Sequence, residues 1–277
     1  MRRLSLALIA AVSTVALTQI ASATDLSVKA PVYKAPVTNW EGFYVGGHVG
    51  YGWDPADATF DPVTYVTTVD PAFTATSSSG PVNLSVAPEG WLGGVQLGYN
   101  WQRNSWVYGI EADFSWSGIK DTDSAPWFVN GLLLNRGPGQ VTGVVSLEQK
   151  LDYFGTVRGR LGWANNALLL YGTGGLAWGH VVTTFRNHDI NAVGGLFTAA
   201  EIAALQAGGY ASTRDIRWGF TVGAGLEWMF APNWSVKAEY LFVDLLGSDT
   251  LAITGGVATT GDMTVHVARA GVNYFFH

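Results

Sequence analysis

Apolar and polar side chains alternate along several stretches of the chain with a period of two residues. Between Phe43 and Trp53, one set of alternate positions is mainly apolar, and the other is mainly glycine. This period is typical of a β-strand with one apolar face. Seven further segments repeat it, although the alternation in 167–179 is too weak to assign its faces. The pattern predicts eight strands, at 43–53, 91–101, 106–116, 147–162, 167–179, 216–230, 234–245 and 263–276.

The segments between these strands alternate between short and long. Short turns containing Asn or Pro are predicted at 103–104, 164–166 and 231–233. Long stretches rich in Gly, Ser, Thr, Asp and Pro occupy 54–88, 118–146, 184–213 and 246–261. An even number of strands with this alternation is typical of a transmembrane barrel with short periplasmic turns and long extracellular loops. We therefore predict an all-β fold, an eight-stranded antiparallel transmembrane up-and-down β-barrel.

One long stretch also carries a helix signal. Thr198 and Glu201 have the spacing of a capping box, and an Ala/Leu run follows them. This pattern predicts a short helix at about 199–207 on the outer rim of the barrel.

Aromatic residues stand near the ends of the predicted strands, as expected for residues at the two membrane–water interfaces. In a soluble secreted barrel the same side chains would fill the core, and alternation alone does not separate the two cases. The loop asymmetry and the glycine-rich polar face favour the membrane barrel. The predicted interface aromatics are Trp40, Trp53, Trp91, Trp101, Trp106, Trp116, Trp163, Trp178, Trp228 and Trp234.

The N-terminus has the features of a secretory signal peptide. Two arginines precede an apolar run at 4–17, and the small residues Ala21, Ser22 and Ala23 follow it. A transmembrane anchor would need about 20 apolar residues, and hydroxyl and amide side chains interrupt this run. We expect cleavage after Ala23, a periplasmic extended lead at 24–40 and an outer-membrane β-barrel at 41–277.

Composition removes several function classes. The chain of 277 residues has 15 Lys and Arg against 21 Asp and Glu, so its formal net charge of −6 argues against a nucleic-acid partner. The high aromatic and apolar content excludes a disordered chain. Cysteine is absent, which excludes disulfides, thiolate metal sites and a cysteine nucleophile.

Charged residues on the polar faces of the strands are the main candidates for a functional role. An eight-stranded barrel is only wide enough for its own side chains, so charges inside it must pair. We predict a lumen salt-bridge network, with Lys237 and Glu239 approaching Arg269 on the next strand. The alternative is a polar permeation path, lined by Arg158, Lys237 and Arg269. The predicted network contains Glu111, Asp113, Glu148, Lys150, Asp152, Arg158, Arg160, Arg217, Glu227, Lys237, Glu239 and Arg269.

Four segments of the chain resemble a known family. The glycine- and aromatic-rich motifs at 40–47, 219–227, 234–245 and 269–275 are similar to those of alphaproteobacterial outer-membrane proteins of the Omp25/Omp31 type. These OmpA-like or opacity-type barrels are often named porin-family or outer-membrane immunogenic proteins. The resemblance implies an outer-membrane location, with lipopolysaccharide and phospholipid as surroundings. It also implies that periplasmic chaperones and the barrel-assembly machinery act on the chain during biogenesis.

The resemblance also bears on two kinds of site residue. Such chains usually end on an aromatic assembly signal, which here is Phe276, although His277 follows it. The family includes haemin binders, so His180 and His188 are the positions where axial ligands would be sought. Their spacing is a weak metal signal, and we expect no metal or other cofactor.

The remaining histidines do not indicate an enzyme. Neither His48 nor His266 has a serine beside it on the same strand face, as a hydrolase would require. We therefore expect a non-enzymatic protein with a structural and surface role and a plugged lumen. The alternatives are a narrow porin-like channel for small solutes and a haemin-binding surface receptor.

Overall fold

Long β-strands form most of the protein. The computed structural model describes residues 38–277, apart from 55, 61–72, 81, 134–136, 195–197, 208 and 254–255. The predicted signal peptide and nearly all of the predicted lead lie outside the described residues. The elements are β1 (Gly42–Trp53), β2 (Ala56–Phe60), β3 (Phe73–Ser78), β4 (Val82–Val86), β5 (Glu89–Arg103), β6 (Trp106–Leu133), β7 (Gly137–Asn165), β8 (Leu168–Val193), α1 (Ala199–Ala207), β9 (Tyr210–Ala231), β10 (Trp234–Leu246), β11 (Asp249–Ile253), β12 (Gly256–Thr260) and β13 (Met263–Phe276).

Eight of these strands close into a ring. Their order is β1, β5, β6, β7, β8, β9, β10 and β13, and β13 pairs with β1 to complete the circle. All eight pairings are antiparallel. Each predicted strand corresponds to one strand of the ring, so the predicted eight-stranded antiparallel barrel is confirmed.

The three short turns lie together at one end of the ring. Asn104 and Asn166 adopt left-handed backbone conformations there, with φ of 57° and 53°. Asparagine tolerates this region better than most residues, which suits it to a tight turn. The first and last strands also meet at this end, where Phe43 lies opposite Phe276. Since short turns mark the periplasmic side of such barrels, we call this the periplasmic end.

At the opposite end, three strands continue far beyond the ring. The stretch at 118–146, predicted as a loop, is a hairpin in which β6 and β7 remain paired up to Leu133 and Gly137. β8 also continues, to Val193. Buried residues such as Trp127 and Val129 hold this hairpin against its neighbours, which its loop-like composition did not predict. The helix predicted at 199–207 is α1, so that prediction is confirmed.

We call this part of the protein the extracellular extension; it comprises Ile119–Leu133, Gly137–Leu151, Val181–Val193 and the elements that pack on them. A second sheet, in the order β11-β12-β2-β4, lies at this end. Backbone N–H groups of Ser85 and Ala87 donate to the carboxylates of Asp123 and Asp121, at 2.9 and 2.8 Å. These bonds hold β4 and the residue that follows it against β6.

A bulge separates the ring from the extension. Between Trp116 and Ile119 on β6, and between Leu151 and Tyr153 on β7, the pairing shifts register. On the ring side of this point the even-numbered residues of β7 are buried, as at Arg158. On the extension side of this point, the odd-numbered residues of β7 are buried, as at Leu147. A β-bulge inserts one unpaired residue and so reverses which residues face inward.

Two apolar layers fill the barrel near its ends. The periplasmic layer consists of Trp40, Tyr44, Val107, Ala164, Leu169, Tyr171, Met229 and Phe275. The extracellular layer consists of Leu92, Ile119, Leu151, Phe154, Ala177, Val181, Leu241, Val243, Leu245, Met263, Val265 and Val267. Polar and charged side chains occupy the space between them.

Candidate functional site: the buried charge network

The outer surface of the ring is apolar between two belts of aromatic residues. Trp91 marks the extracellular belt, and Trp101, ten residues further along β5, marks the periplasmic belt. Both are exposed. At about 3.3 Å per residue and a strand tilt of about 40°, they stand about 25 Å apart along the barrel axis. Exposed Ile110, Val222 and Leu226 lie between the belts. Their position matches the apolar band of a membrane barrel.

Most of the predicted interface aromatics lie on this outer surface, and one does not. Trp40 is fully buried, where its indole N–H donates to the carbonyl oxygen of Asn166 at 3.2 Å and its ring packs edge-on against Phe275. The prediction for Trp40 is therefore wrong, because this residue precedes β1 and folds under the barrel. Trp218 was missed, and it lies opposite Trp178 in the extracellular belt. Among the described residues, none of the helices is both long and apolar enough to cross a bilayer.

Eight of the twelve predicted network residues form one cluster inside the ring. Four are acids and four are bases, so their formal charges cancel. Each is at most 5% exposed. The members, which we call the charge network, are Glu111, Asp113, Arg158, Arg160, Glu227, Lys237, Glu239 and Arg269.

Arg158 contacts three of the four acids in the charge network. Its guanidinium contacts the carboxylates of Glu111, Asp113 and Glu239 at 2.5, 3.0 and 3.0 Å. Its Nε atom donates to the hydroxyl of Thr156 at 2.9 Å. Such charge-assisted bonds are the strong class of protein hydrogen bonds, so Arg158 ties β6 to β10 across the interior.

Arg269 and Lys237 connect to the same carboxylates. Arg269 contacts Glu239 at 2.6 Å and Asp113 at 3.1 Å. Lys237 donates to both carboxylate oxygens of Glu111 at 2.9 Å. Glu239 and Arg269 are also direct cross-strand partners, as the sequence predicted.

Arg160 and Glu227 form the part of the charge network that is nearest to the periplasmic layer. Their side chains are 2.7 Å apart. The guanidinium of Arg160 also lies 4.1 Å from the ring centre of Tyr171. Glu227 accepts two further bonds, from Ser235 at 2.5 Å and from Asn273 at 2.7 Å.

Neutral residues from the remaining strands, which were not predicted from the sequence, complete the network. Tyr44 donates to Glu111 at 2.7 Å, and Tyr171 donates to Glu239 at 3.1 Å. His48 contacts Gln96 at 2.5 Å. The alternation on β1 placed Tyr44 and His48 on the same face as the glycines, and this was the signal that could have identified them.

Inward-facing glycines leave room for the large side chains of the network. A Cβ atom on Gly98 would lie 2.4 Å from the hydroxyl oxygen of Tyr44. A Cβ atom on Gly225 would lie 2.6 Å from the ring of Tyr171. The abundance of glycine on the polar face is thus a packing requirement of the narrow interior.

Four predicted network residues lie elsewhere. Glu148 and Lys150 are on the outer face, because the bulge on β7 reverses the alternation below them. Asp152 lies at the bulge, where it pairs with Lys150 and with His180. Arg217 is buried away from the cluster, and one of its nitrogens donates to the carbonyl oxygen of Gly261 at 3.3 Å. The prediction is wrong for these four, since it assumed uninterrupted alternation and one continuous cluster.

The two histidines considered as haemin ligands are far apart. His180 stacks on Tyr153 in the extracellular belt, whereas His188 contacts Ser146 and Asp189 further along β8. Eight residues of extended strand span about 26 Å, too far for both to bind one iron. Among the described residues, no group of three or more His, Asp or Glu is arranged to hold a metal ion.

The C-terminal residues close the barrel at the periplasmic end. Phe276 is half exposed and packs on Phe43, its cross-strand partner. The His277 ring contacts the carbonyl oxygens of Glu41 and Pro232 at 3.0 and 3.3 Å. Phe276 therefore lies on the outer surface at the last position of β13, while its role as an assembly signal stays a prediction.

Known proteins of the outer membrane are similar to this chain over most of its length. The 31 kDa outer-membrane immunogenic protein of Brucella melitensis is 32% identical over 274 residues, which cover 98% of this chain and 97% of the relative. The 22 kDa outer membrane protein of Rhizobium leguminosarum bv. viciae is 29% identical, with 80% and 71% covered. Among solved structures, the outer membrane protein OprG from Pseudomonas aeruginosa is 14% identical with a TM-score of 0.44, covering 85% of this chain and 97% of that one.

The match to a protein family is consistent with the closed ring and with the apolar band between the two aromatic belts. It is also consistent with the relatives that align over most of this chain. The family model for the outer membrane protein beta-barrel domain matches residues 5–276. This protein is located in the bacterial outer membrane and belongs to the outer membrane protein beta-barrel family, with relatives of the Omp25/Omp31 type.

Proposed function

We propose that this protein is a structural, surface-exposed barrel of the outer membrane whose lumen is closed to solutes. One observation carries the proposal: a charge network of zero formal charge fills the ring between two apolar layers. The side chains of Arg158, Lys237 and Arg269 have no exposed surface. A permeation path would need at least one of these groups to face water.

The apolar layers support the same conclusion from both ends. An ion entering from outside would first meet the extracellular layer, which includes the fully buried Ile119 and Leu245. From the periplasmic side it would meet Trp40 and Phe275, which are also fully buried. Because apolar constrictions exclude water and ions, each layer opposes conduction independently of the charge network.

A surface role is supported by the extension and by the relatives. The strands β6, β7 and β8 extend well beyond the aromatic belt, so they would present outward-facing residues such as Phe128 and Leu132 to the cell exterior. The Brucella relatives are named outer-membrane immunogenic proteins. This name fits a barrel whose outer part is exposed on the cell.

Planar bilayer recordings of the refolded protein test the closed lumen. We expect no steady current from the wild type. Arg269→Ala should produce an intermittent leak, because it leaves Glu239 and Asp113 without a major partner. The control is Arg103→Ala, which changes an exposed arginine next to a periplasmic turn. A steady nanosiemens current through the wild type would contradict the proposal and favour the narrow-pore alternative.

A haemin titration tests the other alternative. His180 and His188 lie far apart on β8. We therefore expect that any haemin absorbance change seen with the wild type is also seen with His180→Ala and with His188→Ala. A stoichiometric change that one of these variants abolishes would contradict the purely structural role and favour a haemin receptor.

A further inference from the structure

Three side chains of the extracellular extension form a connected chain of hydrogen bonds. The hydroxyl oxygen of Ser146 on β7 lies 2.8 Å from Nε2 of His188 on β8. The other ring nitrogen of His188, Nδ1, lies 3.0 Å from a carboxylate oxygen of Asp189. An ionised carboxylate only accepts hydrogen bonds, so Nδ1 carries the hydrogen of the neutral ring and Nε2 accepts the hydrogen of Ser146. We call these three residues the serine site.

A bulge in β8 makes the contact between His188 and Asp189 possible. Successive residues of a regular strand point to opposite faces, so the side chains of such neighbours do not normally meet. Thr142 and Val144 are two residues apart on β7, whereas their partners on β8, Asn191 and His188, are three residues apart. Asp189 lies within this bulge and has a left-handed φ of 55°. Bulges that re-aim a side chain in this way are over-represented next to active sites.

Two other histidines each have half of this arrangement. His48 lies 2.8 Å from the hydroxyl of Ser115, but its Nδ1 contacts the amide oxygen of Gln96 and the group is buried inside the ring. His180 contacts the carboxylate of Asp152, but in the part of the chain that the structure describes it has no serine partner. The serine site combines a hydroxyl and a carboxylate on one histidine ring, which is the arrangement that activates a serine as a nucleophile.

The serine site is open to the cell exterior and lies beside an apolar surface. The side chain of His188 is 45% exposed. Val144 is the cross-strand partner of His188 on one side and of Pro126 on the other. Phe128, two residues beyond Pro126 on the same face of β6, is 37% exposed. An apolar group attached to a carbonyl carbon at Ser146 would have these side chains to rest on.

We propose that the serine site takes the acyl group from esters that carry an apolar acyl chain. The oxygen of Ser146 attacks the ester carbonyl while Nε2 of His188 takes the hydroxyl proton. That proton passes to the alkoxide as its bond to the carbonyl carbon breaks, so the alcohol leaves and Ser146 carries the acyl group. Water then attacks the acyl group with His188 again taking and returning a proton, and the carboxylic acid leaves. This activity is additional to the structural role and does not depend on whether the lumen is closed.

The carbonyl oxygen that becomes negative in this reaction has a hydroxyl donor close by. Strand β7 is paired on both sides at Ser146, so the backbone N–H groups there are engaged in the sheet. The hydroxyl of Ser124 lies 2.9 Å from the Ser146 oxygen and can rotate towards the carbonyl oxygen. Loss of one donor to the oxyanion slows a serine hydrolase by about 10²–10³-fold. We therefore expect slow acyl transfer, which covalent labelling detects better than turnover.

Covalent labelling of the refolded protein in phosphatidylcholine vesicles tests the serine site. A fluorophosphonate, which reacts with activated serines, should label the wild type, and peptide mass spectrometry should locate the label at Ser146. Ser146→Ala should abolish this label. His188→Ala should slow labelling by about 10²–10⁴-fold, the usual contribution of a general base. p-Nitrophenyl butyrate should acylate the wild type faster than p-nitrophenyl acetate does, because its longer acyl chain contacts the apolar surface.

Two matched variants separate an activated serine from an ordinary one. Ser212→Ala removes a hydroxyl that contacts the hydroxyl of Thr184, and His180→Ala removes a histidine that contacts a carboxylate. Both should be labelled at the wild-type rate. An unlabelled Ser146 in the wild type, or an equal rate of labelling in His188→Ala, would overturn the proposal. A butyrate rate no higher than the acetate rate would overturn the assignment of an apolar acyl chain. The urea unfolding midpoint of each variant reports whether the barrel still folds.

Discussion

The ring and the extracellular extension use the same strands but have opposite interiors. Inside the ring, β6 and β7 contribute Glu111, Asp113, Arg158 and Arg160 to the charge network. Inside the extension, the same two strands contribute apolar residues such as Trp127. The outer surfaces are reversed in the same way, with lipid-facing apolar residues around the ring and cations such as Lys120 just above it.

This difference shows how the surroundings determine the interior. Around the ring, lipid accepts the apolar side chains, so the polar ones must turn inward and pair with each other. Around the extension, water accepts the polar side chains, and burial of apolar surface is what holds the strands together. The bulge at Asp152 lies at the change of surroundings and allows β7 to satisfy both conditions.

The largest effect is expected from breaking the charge network. Arg158→Ala leaves three carboxylates, those of Glu111, Asp113 and Glu239, without their central cation. Removing one partner from a buried charge pair costs about 3–5 kcal/mol of unfolding free energy. Urea unfolding in lipid vesicles measures this loss, and the exposed Arg103→Ala should change stability by less than about 0.5 kcal/mol. Equal stability of the two variants would mean that water reaches the network.

A charge on the outer surface should distinguish the two regions directly. Val222→Arg places a cation in the apolar band between the two aromatic belts, where it costs about 2–4 kcal/mol of unfolding free energy. Val193→Arg makes the same change at an exposed position in the extension, where water solvates the new charge. The matched pair is compared by refolding yield and urea midpoint. Similar losses for both variants would contradict the assignment of the lipid-facing surface.

A smaller effect is expected inside the extension. The indole N–H of Trp127 donates to the side-chain oxygen of Asn187 at 2.9 Å, and both residues are buried. Trp127→Phe leaves that oxygen without this donor, at a cost of about 1–3 kcal/mol. The loss should appear as faster proteolysis of the extension while the ring stays protected. Trp116→Phe, in the aromatic belt, is the control and should leave the rate of proteolysis unchanged.

A pH dependence is expected where the two regions meet. Asp54 follows β1 just beyond the belt, where burial, aided by the nearby Asp244, raises the pKa of its carboxyl from 3.8 to about 7. The folded protein thus holds a proton that the unfolded chain releases, so stability falls as pH rises from about 4 to about 7. Asp54→Asn should reduce the slope of the unfolding free energy against pH, by up to the equivalent of one proton released on unfolding. An unchanged slope would show that Asp54 titrates normally.

Local patterns were sufficient to predict the ring. The alternation around Phe43–Trp53 and its repeats gave eight strands, and the asparagine turns gave their connections. The pairing of Glu239 with Arg269 followed from their opposite charges and from their positions on neighbouring strands. In each case one strand or one pair of adjacent strands holds all the necessary information, because the two faces of a strand are distinguished by a period of two.

Only the tertiary structure decided what lies across the barrel and above it. The contact between Arg158 and Glu239 joins strands that are not neighbours, and Trp40 is buried because the chain before β1 folds under the ring. The bulge moved Glu148 and Lys150 to the outer surface, where Lys150 lies opposite Lys120 of a separate strand. The sequence by itself determined which residues alternate along each strand. Bulges, ring closure and the surrounding solvent determined which residues meet, since these depend on contacts between residues that are distant along the chain.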